Sequence, residues 1–157
     1  MKKQKKIAII YDFDSTLIKG YMQNEMLIPY FGMECGEFWE KANKLMRERD
    51  VDEILAFMYT CIKVAKEKNK KLTKDLFVEC GKNLNQFFDG VVDWFDRINA
   101  YGKSCGVVIE HYVISCGLQE MIENCKIAPF LKKIFASRYL YNENGEAEWP
   151  AYAVNYT

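Results

Sequence analysis

Histidine and proline are scarce in this chain, and charge of either sign is not in excess. One histidine in 157 residues leaves no Ser/His/Asp set legible and no His cluster to join the six cysteines. Those cysteines sit at 35, 61, 80, 105, 116 and 125, none spaced Cys-x-x-Cys, which argues against structural zinc. Several fall at apolar positions of helical patterns, where a free thiol acts as a small hydrophobe, and reduced thiols in a cytoplasm are the expectation. Lys+Arg and Asp+Glu both number 22, so there is no electrostatic case for nucleic acid or an anionic membrane as partner. No apolar run approaches the roughly 20 residues of a membrane span. The basic start, Met1 to Lys6, precedes an apolar stretch that ends at Asp12, too short for a signal peptide. What is abundant is apolar: half the residues are hydrophobic and 15% aromatic, too many for disorder.

Ile7-Ala-Ile-Ile-Tyr11 is an uninterrupted β-rich run of the kind buried on both faces of a parallel sheet. Similar runs recur at Val107–Ser115 and near Ile134–Tyr141. Between the first two the period changes to helical. One helix carries Phe38, Trp39, Ala42, Leu45 and Met46, and the next carries Ile54, Leu55, Met58, Cys61 and Ile62. Asp50-Val-Asp-Glu53 fits a capping box before the latter. A third helix begins after Thr73 and takes in Leu84, Phe87 and Phe88. A fourth begins after Gly90 and breaks at Gly102. Asn142-Glu-Asn-Gly145 predicts a turn in a hairpin. The lysine-rich stretch from Lys63 to Lys74 reads as a solvated helix end. Strands alternating with helices predict an α/β fold, a Rossmann-like parallel sheet with a helical insertion over the carboxyl end of its first strand, where such sheets bind ligands.

Asp12 and Asp14 stand two apart at the end of that strand, so both carboxylates can face one cleft. Paired carboxylates are costly unless a cation neutralises them or one is protonated, and a hard divalent ion such as Mg²⁺ suits them. One could attack phosphorus while the other serves as acid and then base. The alternative is a plain strand-ending turn, since Asp and Ser favour turns. The second strand ends in Ser115-Cys-Gly117 before a helical pattern, either a simple N-cap or an anion site built from a hydroxyl and helix N–H groups. His111, alone, reads as a packing residue. Trp39, Trp94 and Trp149 read as core, and Gln23, Asn24, Glu25, Arg47 and Arg49 as cap residues able to face a substrate or solvent equally well.

Asp12-Phe-Asp-Ser-Thr16 and the strand-end Ser115 resemble the first two motifs of the haloacid dehalogenase-like hydrolase superfamily, in its phosphoserine phosphatase-like branch. The resemblance implies an incomplete α/β core in residues 1–18 and 90–157 with a helical cap in 19–89. It implies a Mg²⁺-dependent phosphatase acting on a small phosphorylated metabolite. Asp12 would be the nucleophile and a metal ligand. Asp14 would be the acid/base and ligate the metal through its carbonyl. Ser115, Cys116 and Gly117 would hold the phosphoryl group, with Thr16 bracing the loop. A phosphotransferase or mutase of the same family, or a non-catalytic fragment or interaction module, are the competing readings.

The family's third motif, a lysine or arginine, and its fourth, an acidic pair on a further strand, have no counterpart. No lysine follows Lys133, no aspartate follows Asp96, and Lys132 and Lys133 are expected before the third strand. The expectation is therefore a truncated gene fragment with little phosphatase activity of its own. Its first strand would present a hydrophobic edge that invites pairing with another chain.

Overall fold

The computed structural model describes residues 5–155; residues 1–4 of the basic run and residues 156 and 157 lie outside that range. Four strands form one sheet in the order β1-β2-β3-β4. β1 (Lys5–Tyr11) pairs in parallel with β2 (Val107–Leu118), which pairs in parallel with β3 (Leu131–Tyr141). β4 (Ala147–Tyr152) closes an antiparallel hairpin on β3. The predicted turn is there: Asn142 Oδ1 accepts the N–H groups of Asn144 and Glu146, each at 3.0 Å, and Gly145 takes a φ of 71°. The sheet is thus mixed, with the antiparallel strand at its edge.

Between β1 and β2 the chain is helical. A π-helical turn at Gln23–Leu27 runs into α1 (Ile28–Phe31), followed by α2 (Cys35–Arg49), α3 (Glu53–Glu67), α4 (Lys74–Asn83) and α5 (Val91–Ser104). A short helix, α6 (Gln119–Glu123), follows β2. α3 buries Phe57, Met58, Cys61, Val64 and Ala65 among others, a set that wraps most of its circumference, so it is the helix the rest of the insertion packs around. Tyr139 ties it to the sheet, donating its hydroxyl to the Met58 carbonyl at 3.0 Å while its ring stacks on Phe77 of α4. Phe13, Phe31, Phe38, Phe57, Phe77 and Phe95 are all fully buried, which accounts for much of the aromatic excess.

Several boundaries differ from the sequence reading, each for a local reason. The N-cap of α3 is Asp52, whose Oδ1 accepts the N–H groups of Ile54 and Leu55; Asp50 instead ends α2 in a left-handed conformation, φ 51°. Thr73 caps α4 as expected, but α4 stops at Asn83, so Leu84, Phe87 and Phe88 lie beyond it. α5 runs through Gly102 to Ser104, and the chain turns at Gly106, φ 70°. Gly102 is there for closeness: a Cβ on it would meet Ile109 Cγ1 at 2.6 Å. Lys132 and Lys133 belong to β3 rather than preceding it.

β1 is not buried on both faces as its residue types suggested, while the hydrophobic edge expected of it is there. Among the described residues no strand pairs with its outer edge, and Ile7 and Ile10 are 50% and 60% exposed. At its carboxyl end Tyr11 reaches α5, accepting the Trp94 indole N–H and sharing a hydrogen bond with His111 Nδ1 of β2, both at 2.9 Å. His111 Nε2 meets Asn99 Oδ1 at 3.0 Å, so the lone histidine is a satisfied core residue, and burial holds its pKa below the usual value.

Candidate active site

The first strand delivers its acids by simple alternation. Phe13 is fully buried and points into the core, so Asp12 and Asp14 on either side of it point the other way. Phe13 also donates its N–H to Asp12 Oδ1 at 2.7 Å, which orients the exposed carboxylate. The chain then turns sharply. Ser15 takes a positive φ of 56° and donates its N–H to the Gly20 carbonyl at 2.9 Å, and the Leu17 N–H returns to the Phe13 carbonyl. The turn reading of this segment is therefore realised.

Asp14 is largely withdrawn from solvent. Its Oδ1 accepts the Met22 N–H at 2.9 Å, from the residue just before the π-helical turn. Burial pushes its pKa up to about 7, the Met22 hydrogen bond opposes that rise, and the charge of Asp12 adds to it. A carboxyl held neutral or charged with equal ease near pH 7 is suited to giving and taking a proton.

The parallel register, Tyr11 opposite Val113, carries the end of β2 to the same place. Gly117 packs so closely that a Cβ on it would lie 3.0 Å from Asp14 Oδ2. Ser115 is buried, and its Oγ accepts the Gly117 N–H at 3.0 Å, so the hydroxyl holds the turn. Cys116 lines the same cavity as Asp12 and Asp14, its thiol pushed up by burial and then by the carboxylates of Asp12, Asp14, Glu53 and Asp52. Asp12, Cys116 and Ser115 also border a shallower neighbouring hollow. Thr16 is exposed on the turn and does not line the cavity, whereas Ser15 does.

The cavity, about 570 Å³, lies between these strand ends and the inserted helices. Gln23 and Asn24 line it; Glu25 instead faces Gln86 Nε2 at 3.2 Å, and Arg47 pairs with Glu40 at 2.9 Å. Tyr21, Trp39, Asn43, Glu53 and Phe57 line it too and were not singled out as site residues from sequence. Trp39 shares the helical spacing of the core but is only half-buried, and its Nε1 donates to Asn24 Oδ1 at 2.7 Å. The π-helical turn at Gln23–Leu27, a feature that clusters at functional sites, had no signature in composition.

Among the described residues no group of three or more His, Cys, Asp or Glu is placed to hold a metal. Two adjacent hard oxygen donors still fit Mg²⁺ in kind, because that ion keeps several waters and takes one or two carboxylates together with substrate phosphate. Asp12 and Asp14 would be its protein ligands. Among the described residues no helix is long and apolar enough to cross a membrane.

No protein-family model matches the chain. An uncharacterised protein of Borreliella burgdorferi is 29% identical over 144 residues, covering 85% of this chain and 50% of the relative. The chain thus spans about half the length of that curated relative. A phosphoserine phosphohydrolase-like protein from Francisella tularensis superposes with a TM-score of 0.61 at 21% identity, over 94% of this chain and 64% of that one. A substrate-bound phosphoserine phosphatase gives 0.60 at 20% identity, over 92% and 61%. A phospho-aspartyl intermediate analogue of phosphoserine phosphatase gives 0.57 at 22%, over 91% and 61%. The fold is haloacid dehalogenase-like, of the phosphoserine phosphatase type.

Proposed function

We propose that the chain carries the nucleophile and acid/base half of a Mg²⁺-dependent phosphatase site for a small phosphomonoester. The observation that carries this reading is the contrast between two carboxyls two residues apart: Asp12 exposed and oriented, Asp14 half-buried with its pKa raised to about 7. A neighbouring acid whose pKa is raised in this way is suited to carry the proton while the exposed one attacks.

Asp12 attacks phosphorus with the oxygen not engaged by the Phe13 N–H, and the bond to the leaving oxygen breaks. Asp14, protonated, gives that oxygen its proton. As a carboxylate it then takes a proton from the water that attacks the aspartyl phosphate, which returns Asp12 and releases phosphate. The backbone around Cys116 and Gly117 faces the transferring group. Bound Mg²⁺ supplies charge neutralisation of the phosphoryl oxygens. The helices from Gln23 to Asn83 act as the cap that shapes the leaving-group pocket. Among the described residues the cavity has no lysine or arginine, so the chain by itself is expected to bind the phosphoryl group far better than it turns it over.

Beryllofluoride with Mg²⁺ tests the nucleophile directly. It should raise the Tm of the chain, and Asp12→Asn should abolish the rise. An equal rise in Asp12→Asn, or none in the parent, would remove Asp12 from the role.

A further inference from the structure

The cavity is larger than phosphoryl transfer alone requires. At about 570 Å³ it falls in the range that buries drug-sized ligands, which leaves room for a ring beside the phosphoryl group. Part of its wall is aromatic, and the rings come from different elements: Tyr21 precedes the π-helical turn, Trp39 lies on α2 and Phe57 on α3. Trp39 is the middle one. Its ring centroid is 6.2 Å from that of Tyr21 at an interplanar angle of 56°, and 5.7 Å from that of Phe57 at 34°. Phe57 is 2% exposed and backs the indole, whereas Tyr21 is 53% exposed and Trp39 half-buried. Asn24 Oδ1 accepts the Trp39 indole N–H at 2.7 Å, so the plane of that ring is set before a ligand arrives. An indole pinned in this way while lining a cavity is a preorganised stacking platform, which lowers the ordering cost of binding.

We infer that the alcohol half of the substrate carries an aromatic ring, which stacks on Trp39. This rests on the phosphoryl-transfer reading only for which end of the substrate faces Asp12. A flat ring laid parallel to Trp39 meets Tyr21 at the same 56°, so it is stacked on one partner and tilted against the other. Offset-stacked and tilted contacts are the ones aromatic pairs favour over a face-to-face sandwich. An alcohol the size of ethanol would leave both rings facing water. A saturated ring of the same size would bury a similar apolar area but has no π-system to match either partner.

The test is NMR titration of the full chain in Mg²⁺, following the Trp39 indole N–H and the ring protons of the ligand. The probes are ethyl phosphate, phenyl phosphate, benzyl phosphate and cyclohexylmethyl phosphate. The tighter of the two aromatic esters should bind at least about tenfold more strongly than ethyl phosphate, the usual yield of stacking on an aromatic side chain. Its ring protons should move upfield as the indole face covers them. Cyclohexylmethyl phosphate should bind more weakly than that ester. Trp39→Leu should remove the aromatic advantage and Trp39→Phe should keep part of it. Tyr21→Leu, at an exposed position where folding is not at stake, should reduce it. Equal affinity for ethyl phosphate and both aromatic esters overturns the ring site while leaving the phosphatase reading in place. A cyclohexylmethyl ester that binds as tightly as the better aromatic one overturns it also, as does an advantage that survives in full in Tyr21→Leu and Trp39→Leu. Titration with benzyl alcohol alone, without Mg²⁺, separates the two ideas from the other side. An upfield shift of its ring protons that disappears in Trp39→Leu supports the ring site even if every phosphate ester fails to bind.

Discussion

Met22 and Gly117 occupy one another's space: a Cβ on Gly117 would sit 2.4 Å from Met22 Cε and 3.0 Å from its Sδ. Met22 is fully buried, and the Leu118 N–H points at its sulfur from 3.3 Å, so the thioether has little room to retreat. This contact joins the end of β2 to the first turn of the inserted helices, and the Met22 N–H is also what holds Asp14. Gly117→Ala should therefore cost about 1–3 kcal/mol, as overpacking does. Urea unfolding in a double-mutant cycle checks the cause, because in a Met22→Ala background the added methyl should cost far less. An unchanged cost there would place the strain elsewhere.

Asp14 makes the stability of the metal-free chain depend on pH. Its folded pKa of about 7 lies above the ordinary 3.8, so folding favours the protonated form. That stabilisation is complete below pH 3.8 and is lost as pH rises through about 7. The loss amounts to about 4 kcal/mol. Asn at this position keeps an oxygen for the Met22 N–H but carries no charge. Asp14→Asn should match the parent at pH 4 and be more stable at pH 8, both in chelator. A Tm difference that does not grow with pH would contradict the buried-carboxyl account.

The features that the sequence made legible are those set by neighbours along the chain. Asp12 and Asp14 follow from alternation about Phe13, the hairpin from Asn142 and Gly145, and the helix start after Thr73 from a hydroxyl that accepts the Leu76 N–H at 3.1 Å. What was not legible depends on residues far away in sequence. Gly102 looks like a helix breaker until Ile109 is seen against it. Trp39 looks like core until Asn24 turns its indole toward the cavity. β1 reads as buried because its residue types are apolar, and its open edge was legible only from the lack of counterparts to the family's third and fourth motifs.

A buried acid far from Asp12 offers a second pH-dependent test. Glu120 is 7% exposed; its Oε1 accepts the Tyr141 hydroxyl at 2.7 Å and its Oε2 is among the buried atoms with no partner. Burial raises its pKa, and the Tyr141 hydrogen bond pulls it back down. Tyr141→Phe should cost about 1–3 kcal/mol, the penalty of a buried group left unmatched. The cost should be larger at pH 8 than at pH 4, because the lost hydrogen bond favoured the charged form. Chemical denaturation at the two pH values measures it, and a Glu120→Gln background should flatten the difference.

One face of the sheet is apolar and open. Ile10 lies opposite Tyr112, Tyr112 and Ile114 share a face by alternation, and Ile114 lies opposite Phe135. Ile10, Ile114 and Phe135 are 60%, 46% and 40% exposed. Beside them runs the outer edge of β1, whose N–H and C=O groups have no strand partner among the described residues. An apolar face next to an unpaired edge promotes association through both burial and main-chain hydrogen bonds. The chain at tens of micromolar should sediment as concentration-dependent oligomers. Lysine at 114 and 135 together should shift the distribution toward monomer without lowering the helical signal in circular dichroism, since neither side chain is in the core. A parent that sediments as a monomer throughout, or a double variant that associates as strongly, would show that this face and edge do not drive self-pairing.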